Sequence, residues 1–229
     1  MPKIAVILVA GGSGSRMGAA IPKQFLELHG EPILAVTLRR FLQALPDSEI
    51  IVALPAAELH RWDAIAHQCG LFGTHRVCIG GATRFESVKN ALQTISDCDY
   101  VAVHDAVRPF VSRQLIHNCL TTAVKYGTAV PAVTPVDSYR VLEPGGINRP
   151  IDRNSLRIIQ TPQVFRADLL HEAYRTEFRD TFTDDASVVE NAGHDITLCP
   201  GDRFNIKITS PEDMSLAQAI FEFMVQHNI

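Results

Sequence analysis

The chain has 229 residues, 46% of them hydrophobic, enough to bury a substantial core without metal or disulfide staples. Its formal net charge of −4 excludes a broad basic footprint for nucleic acid, so an anionic ligand must be met by a few focused cations. Five cysteines without C-x-x-C spacing, and an apolar start over 4–10 too short to span a bilayer, predict a reduced, cytoplasmic protein with no membrane partner.

In chain order, apolar spacing predicts a strand at 3–9, a helix at 32–44, a strand at 49–54 and a helix at 56–68. A strand at 76–79, a helix at 84–95, a strand at 100–104, a helix at 112–126 and a strand at 128–133 follow. Such alternation predicts an α/β fold, a mostly parallel sheet with helices on both faces and ligands at the carboxyl ends of its strands. The pattern breaks at 134–154, where prolines and glycines surround a strand-like patch at 139–142. That segment reads as a hairpin or arm projecting from a single domain over 1–229, or as a mobile loop. Helices from Ala167 and over 183–193, strands at 196–199 and 204–208, and a last helix after Pro211 complete the pattern.

The end of the first strand carries "LVAGGSGSRMGAAIPKQF", residues 8–25, with glycines at 11, 12, 14 and 18 beside Arg16 and Lys23. A Walker loop requires Gly-Lys-Ser/Thr, and Ala19 follows Gly18. A dinucleotide loop requires G-x-G-x-x-G and an acid ending the second strand; Gly18 comes one residue late, and Glu31 opens a helix instead. The remaining pattern is a nucleotidyltransferase loop, G-G-x-G-x-R-M followed by Pro-Lys. Its backbone N–H groups cup a triphosphate, Arg16 offers planar paired donors, and Pro22 restricts the backbone ahead of Lys23. The bland alternative is a surface turn with two solvated cations.

Asp105 ends the predicted fourth strand in "VHDAVRPF". A carboxylate there suits Mg²⁺ or a nucleotide ribose, or simply caps a turn. His104 could tempt a general-base reading, and a structural role is the simpler one. "FNIKIT" alternates, placing Phe204, Ile206 and Ile208 on one face and Asn205, Lys207 and Thr209 on the other. Thr183 heads "TDDAS", which a helix cap explains.

Together "AGGSGSRMG", "PKQF", "GGATRFESVKNAL", "VHDAVRPF", "DRNSLRIIQTPQVF", "FTDDAS" and "FNIKITSPEDM" resemble the 2-C-methyl-D-erythritol 4-phosphate cytidylyltransferases of non-mevalonate isoprenoid synthesis. The resemblance implies a Rossmann-like glycosyltransferase-A-type domain and a homodimer joined through the arm at 134–154. It also implies Mg²⁺-dependent transfer of CMP from CTP to a sugar-alcohol phosphate. By the same resemblance Arg16, Lys23 and Lys207 are catalytic. Ala10, Gly11, Gly12, Gly14, Gly81, Ala82, Ser87, Asp105 and Ala106 bind nucleotide, with Asp105 as the metal ligand. Arg108, Ser138, Arg153 and Thr183 bind the acceptor, with Asp137, Ser138 and Arg153 reaching the neighbouring subunit's site. Ser138 stands where the family commonly has Thr. Ribitol 5-phosphate is the rival acceptor, and a non-catalytic nucleotide-binding protein of the same fold is the rival class.

Overall fold

Residues 5–8 are all fully buried, although alternate side chains leave a strand on opposite faces. Such a run requires a sheet covered on both sides. The computed structural model, which describes residues 2–11, 21–95 and 97–227, contains that sheet. In chain order the elements are β1 (Ile4–Val9), β2 (Glu27–Leu28), β3 (Glu31–Pro32), α1 (Ile33–Ala44), β4 (Glu49–Leu54), α2 (Leu59–Gln68) and β5 (Arg76–Ile79). Next come α3 (Arg84–Leu92), β6 (Tyr100–Asp105), α4 (Arg113–Tyr126), β7 (Thr128–Val133), β8 (Tyr139–Leu142), β9 (Asn148–Ile151) and β10 (Ile158–Ile159). The last are β11 (Gln163–Arg166), α5 (Ala167–Ala173), α6 (Asp185–Asn191), β12 (Leu198–Pro200) and α7 (Pro211–His227).

The strand order is β10-β7-β11-β6-β1-β4-β5, with β12 also pairing β7. Neighbours β5, β4, β1 and β6 are parallel, as the alternation predicts. Unforeseen is β11, which runs antiparallel between β6 and β7. Four residues between Pro162 and a helix are too few to show a period.

The two faces of β1 feed separate cores. Val6 and Leu8 pack with Leu34, Leu38 and Phe41 of α1, Trp62 of α2 and Leu115 of α4. Ala5 and Ile7 pack with Phe85 and Val88 of α3, Leu170 of α5 and Val189 of α6. Burying one such aliphatic side chain contributes ~1.5–3 kcal/mol, so these faces fix the register of the parallel strands. A third cluster joins Ile208 and Val107 to Ile220 and Met224 of α7. These layers bring the ends of β1 and β6 side by side, with Val9 opposite Asp105.

Two expectations need correction. Segment 204–208 is not a strand: Asn205 N–H donates to Asp202 O, Ile206 N–H to Phe204 O and Ile208 N–H to Val107 O. Asn205 and Ile208 are buried and Phe204 is exposed, so the predicted alternation of faces also fails. Local bonding overrides the pattern, because Asn205 Nδ2 donates to Thr161 O at 2.7 Å while its own carbonyl accepts Arg108 Nη1 at 2.8 Å. The strand expected at 196–199 lies at Leu198–Pro200 instead, registered on β7.

Within 134–154, β8 and β9 form a hairpin in register from Tyr139 opposite Ile151 to Leu142 opposite Asn148. Gly145 and Gly146 both take positive φ at its turn, a conformation that side chains disfavour. Among the described residues, no helix is long and apolar enough to cross a membrane.

Candidate active site

A cleft of about 410 Å³ opens at the carboxyl ends of β1 and β6, lined by Ala10, Gly11, Lys23, Ala82, Arg84, Asp105 and Lys207 among others. A second cavity of about 250 Å³ adjoins it, lined by Arg108, Thr161, Gln163, Thr183 and Asp184 with others. Arg84, Asp105 and Lys207 belong to both and form the shared wall.

Asp105 sits at the centre of this wall. Its Oδ2 takes Lys207 Nζ at 2.9 Å and Arg108 Nε at 3.4 Å; its Oδ1 takes Arg84 Nε at 3.2 Å. Burial alone would raise the carboxyl pKa. The cations Arg84, Lys207 and Arg108 overcome that and hold it well below the usual carboxylate range. Asp105 is therefore an anion at neutral pH, and its charge aligns three cations toward the cavities.

Behind it His104 is fully buried, and desolvation pushes its pKa down to about 3. A backbone carbonyl can only accept, so Nε2 donates to Arg108 O at 3.2 Å. Nδ1 then accepts from the Thr161 hydroxyl at 3.0 Å, and that oxygen accepts the Asp105 N–H at 3.1 Å. This neutral chain fixes the backbone on both sides of Asp105. His104 is structural, as expected from the sequence.

On the nucleotide side, Lys23 opens a single 3-10 turn, Lys23–Phe25, after Pro22 at φ −55° and ψ 137°. Gln24 Nε2 ties that turn to Ala10 O at 2.8 Å. Thr83 and Glu86 form a reciprocal cap on α3. Ser87 is not the exposed helix serine that its position alone suggests: it is buried, accepting from Gly81 N at 3.1 Å and donating to Thr83 O at 2.9 Å. Its hydroxyl packs against Gly11 and Gly80, and a Cβ on Gly81 would lie 2.2 Å from Glu86 Cβ. A side chain is thus excluded at Gly81 and crowded by the Ser87 hydroxyl at Gly80, where the loop after β5 enters α3.

Ala106 lines neither cavity. It is fully buried, its N–H donating to Val9 O at 3.1 Å and its carbonyl accepting Thr37 Oγ1 at 2.9 Å. Thr183 reaches the second cavity, and the cap of α6 is Asp184, which accepts Ser187 N at 2.9 Å. Capping therefore does not account for Thr183. Ser138 and Arg153 line neither cavity within this chain; Arg153 is exposed and donates to Val136 O at 2.7 Å. Arg16, Gly12 and Gly14 lie outside the described residues. Glu31, the tempting dinucleotide acid, pairs with Arg39 at 2.6 Å.

Sequence reasoning missed Arg84, Thr161 and Gln163. Arg84 left one signal, a cation in the first turn of a helix, where the dipole opposes it. Thr161 and Gln163 left none beyond their place in a short motif.

Known proteins of one family resemble this chain over nearly its whole length. The family model for 2-C-methyl-D-erythritol 4-phosphate cytidylyltransferase matches residues 4–223. The chain is 43% identical to the enzyme of that name from Bacteroides fragilis over 93% of this chain and 97% of that one. Against the Phocaeicola vulgatus protein of the same name it is 42% identical, over 94% and 98%. Among solved structures it resembles 4-diphosphocytidyl-2C-methyl-D-erythritol synthase from Anaerococcus prevotii, with a TM-score of 0.82, 27% identity and coverage of 96% and 99%. The cytidylyltransferase of Thermus thermophilus gives a TM-score of 0.75 at 32% identity, over 97% and 100%. An α/β nucleotidyltransferase fold, matched motifs and near-complete coverage lead to one assignment: the chain belongs to the 2-C-methyl-D-erythritol 4-phosphate cytidylyltransferase family.

Proposed function

We propose that this protein transfers CMP from CTP to 2-C-methyl-D-erythritol 4-phosphate, releasing pyrophosphate and 4-diphosphocytidyl-2-C-methyl-D-erythritol. The observation that carries the reading is the shared wall. Lys207, held by Asp105, stands between a glycine-walled cleft and a smaller polar cavity, where an attacking phosphate and an α-phosphate would meet. Two phosphates repel, so the reaction needs positioning and cations more than covalent help.

In this reading an oxygen of the acceptor phosphate attacks the α-phosphorus in line and the bond to pyrophosphate breaks. Lys23 and Arg16 hold the triphosphate, supported by backbone N–H groups of Gly12 and Gly14. Lys207 bridges the α-phosphate and the acceptor phosphate. Cytosine lies against Ala10, Gly11, Gly81 and Ala82 near the Ser87 hydroxyl, and the ribose lies near Asp105, whose backbone Ala106 secures from the buried side through its bond to Val9 O. Arg108 and Thr183 receive the acceptor. Ser138 and Arg153 complete that site from the arm of a second copy, which makes the working unit a homodimer. The exposed apolar side chains of the hairpin, Leu142 and Ile147, suit such a contact.

Among the described residues no group of three or more His, Cys, Asp or Glu is placed to hold a metal. Asp105 is the carboxylate nearest such a role, but Arg84, Arg108 and Lys207 engage both its oxygens, so it would hold Mg²⁺ only by giving up one of these cations to an ion otherwise carried by triphosphate and water. There Mg²⁺ would supply neutralisation of triphosphate charge that the cations of the chain do not complete.

The test is pyrophosphate release with each of four nucleoside triphosphates, crossed with methylerythritol phosphate and ribitol phosphate. Release with CTP and methylerythritol phosphate is expected. Release with ribitol phosphate alone would replace the acceptor, and no release with CTP and either acceptor would overturn the enzyme reading.

A further inference from the structure

Arg84 lies in the first turn of α3, where a helix dipole disfavours a cation, and it is held there by two carboxylates. Its Nη1 donates to Asp185 Oδ1 at 3.1 Å and its Nη2 to Asp185 Oδ2 at 2.7 Å, a paired fork. Asp185 is fully buried at the start of α6, and its Oδ1 also accepts the Tyr174 hydroxyl at 2.6 Å. The Tyr174 ring is itself 4% exposed and stacks on Phe85, with centroids 4.8 Å and planes 18° apart. The remaining donor of Arg84, Nε, turns to Asp105 Oδ1 at 3.2 Å. Arg84 is thus shared between a carboxylate away from the cavities and one in their common wall.

The opposite oxygen of Asp105 holds Lys207 at 2.9 Å. A continuous line of charge-assisted bonds therefore runs from the second core to the cation between the two cavities. None of Tyr174, Asp185 and Arg84 is needed to close a helix: α3 is capped by Thr83 and Glu86, and α6 by Asp184 and Ser187. Buried charge that helix formation does not require marks a site where local cost is retained for another purpose.

We propose that Tyr174, Asp185 and Arg84 are positioning residues for the transfer reaction: Tyr174 and Asp185 fix Arg84, Arg84 fixes Asp105, and Asp105 holds Lys207 at the junction of the cavities. The inference rests on the cytidylyltransferase reading for its kinetic consequence. Without the Asp185 charge, Arg84 has Asp105 as its remaining carboxylate and draws it away from Lys207. The pyrimidine pocket around Gly81 and Ser87 does not change, so turnover falls by a larger factor than CTP affinity, which loses only the Asp105 contribution.

The test uses Tyr174→Phe, Asp185→Asn and a charge-free triple variant, Arg84→Met/Asp185→Leu/Tyr174→Phe. Removing support of this kind is expected to lower kcat about threefold to tenfold for Tyr174→Phe and about thirtyfold or more for Asp185→Asn, with CTP affinity by calorimetry falling by a clearly smaller factor in each. The triple variant is expected to recover thermal stability, because apolar residues often replace a buried ion pair without loss, yet to remain slow. Lys207 should react faster with an amine-acylating reagent in Asp185→Asn, as mapped by mass spectrometry. Parent kcat in the triple variant would show a merely structural array and overturn the proposal. Unchanged Lys207 labelling in Asp185→Asn would overturn it as well, and that readout decides even if the parent shows no turnover, an outcome that sinks the reaction instead.

Discussion

The wall around Asp105 and the hairpin at 139–151 are opposites in how they satisfy their own groups. At the wall every oxygen of one carboxylate is engaged by cations from α3, from the turn after β6 and from the segment before α7. On the hairpin Leu142 is 79% exposed and Ile147 65% exposed, and Arg153 at its foot binds a single backbone carbonyl. The first region is complete within one chain. The second leaves Leu142 and Ile147 wet in a single chain, and the proposed dimer would cover them. Two lesions at the wall should therefore fail to rescue each other on mixing, whereas a lesion in the cleft and one on the arm should.

The largest effect expected at the wall is metal removal. The triphosphate brings more negative charge than Arg16, Lys23 and Lys207 neutralise, and Asp105 is the single carboxylate in the cleft wall among the described residues. EDTA should abolish pyrophosphate release and excess Mg²⁺ should restore it. Full activity in a metal-free preparation would leave Asp105 with ribose and cations alone.

Lys23→Ala comes next. Removing one preorganised donor to developing charge commonly costs ~3–4 kcal/mol of transition-state stabilisation, about 10²–10³ in kcat. Lys23 lies in a partly exposed single turn, so the melting temperature should stay close to the parent. Near-normal turnover at saturating CTP would remove Lys23 from the site. A collapse in melting temperature would make it a structural lysine.

The arm gives the sharpest contrast. If Arg153 serves the neighbour's site, Lys23→Ala and Arg153→Ala homodimers are each nearly inactive. After dissociation and equal mixing, half the dimers carry one doubly damaged site and one intact site. Activity should then return to about a quarter of the parent, given random twofold assembly and independent sites. A mixture that exchanges subunits yet stays inactive would place both residues in one chain's site.

The two regions also differ in what the sequence revealed. The site was legible where a charged residue ended an apolar run or followed a glycine loop: Asp105 at the end of β6, Lys23 after the glycines. Arg84 escaped because its partner Asp185 lies 101 residues away, and no spacing rule reaches that far. The β11 insertion was hidden by its length, and segment 204–208 imitated a strand although Asn205 spends its bonds on Thr161 and Arg108. The hairpin was legible as an arm from its prolines and glycines. What it covers was legible only through the family resemblance, because exposed apolar residues name no partner.

The smallest predicted effect concerns stability rather than rate, and it returns to the wall. His104 is buried and neutral between Thr161 and the Arg108 carbonyl, and Phe41 meets its ring edge-on at 4.9 Å. Desolvation lowers its pKa to about 3 in the folded chain, from an unfolded value of 6.5. Between those values the unfolded chain binds a proton that the native one refuses. Stability must therefore fall as pH drops from 6.5 toward 3, by at most about 1.4 kcal/mol per pH unit for one proton. Asp105 has the opposite origin but the same sign: its pKa is depressed, so its contribution persists down to the unfolded carboxylate value of 3.8 and is lost below it. The window from 6.5 to about 5 thus belongs to histidine, because Glu212, lowered from 4.5 by bonds at the start of α7, and the depressed aspartates act below it. His75, also lowered by burial, adds to the slope there and serves as the control. Denaturant unfolding at stepped pH should show His104→Gln with a flatter slope than the parent across that window, whatever its stability at pH 7. A slope identical to the parent's would mean that His104 is protonated in the native state, and that the chain from Thr161 to Arg108 is wired differently.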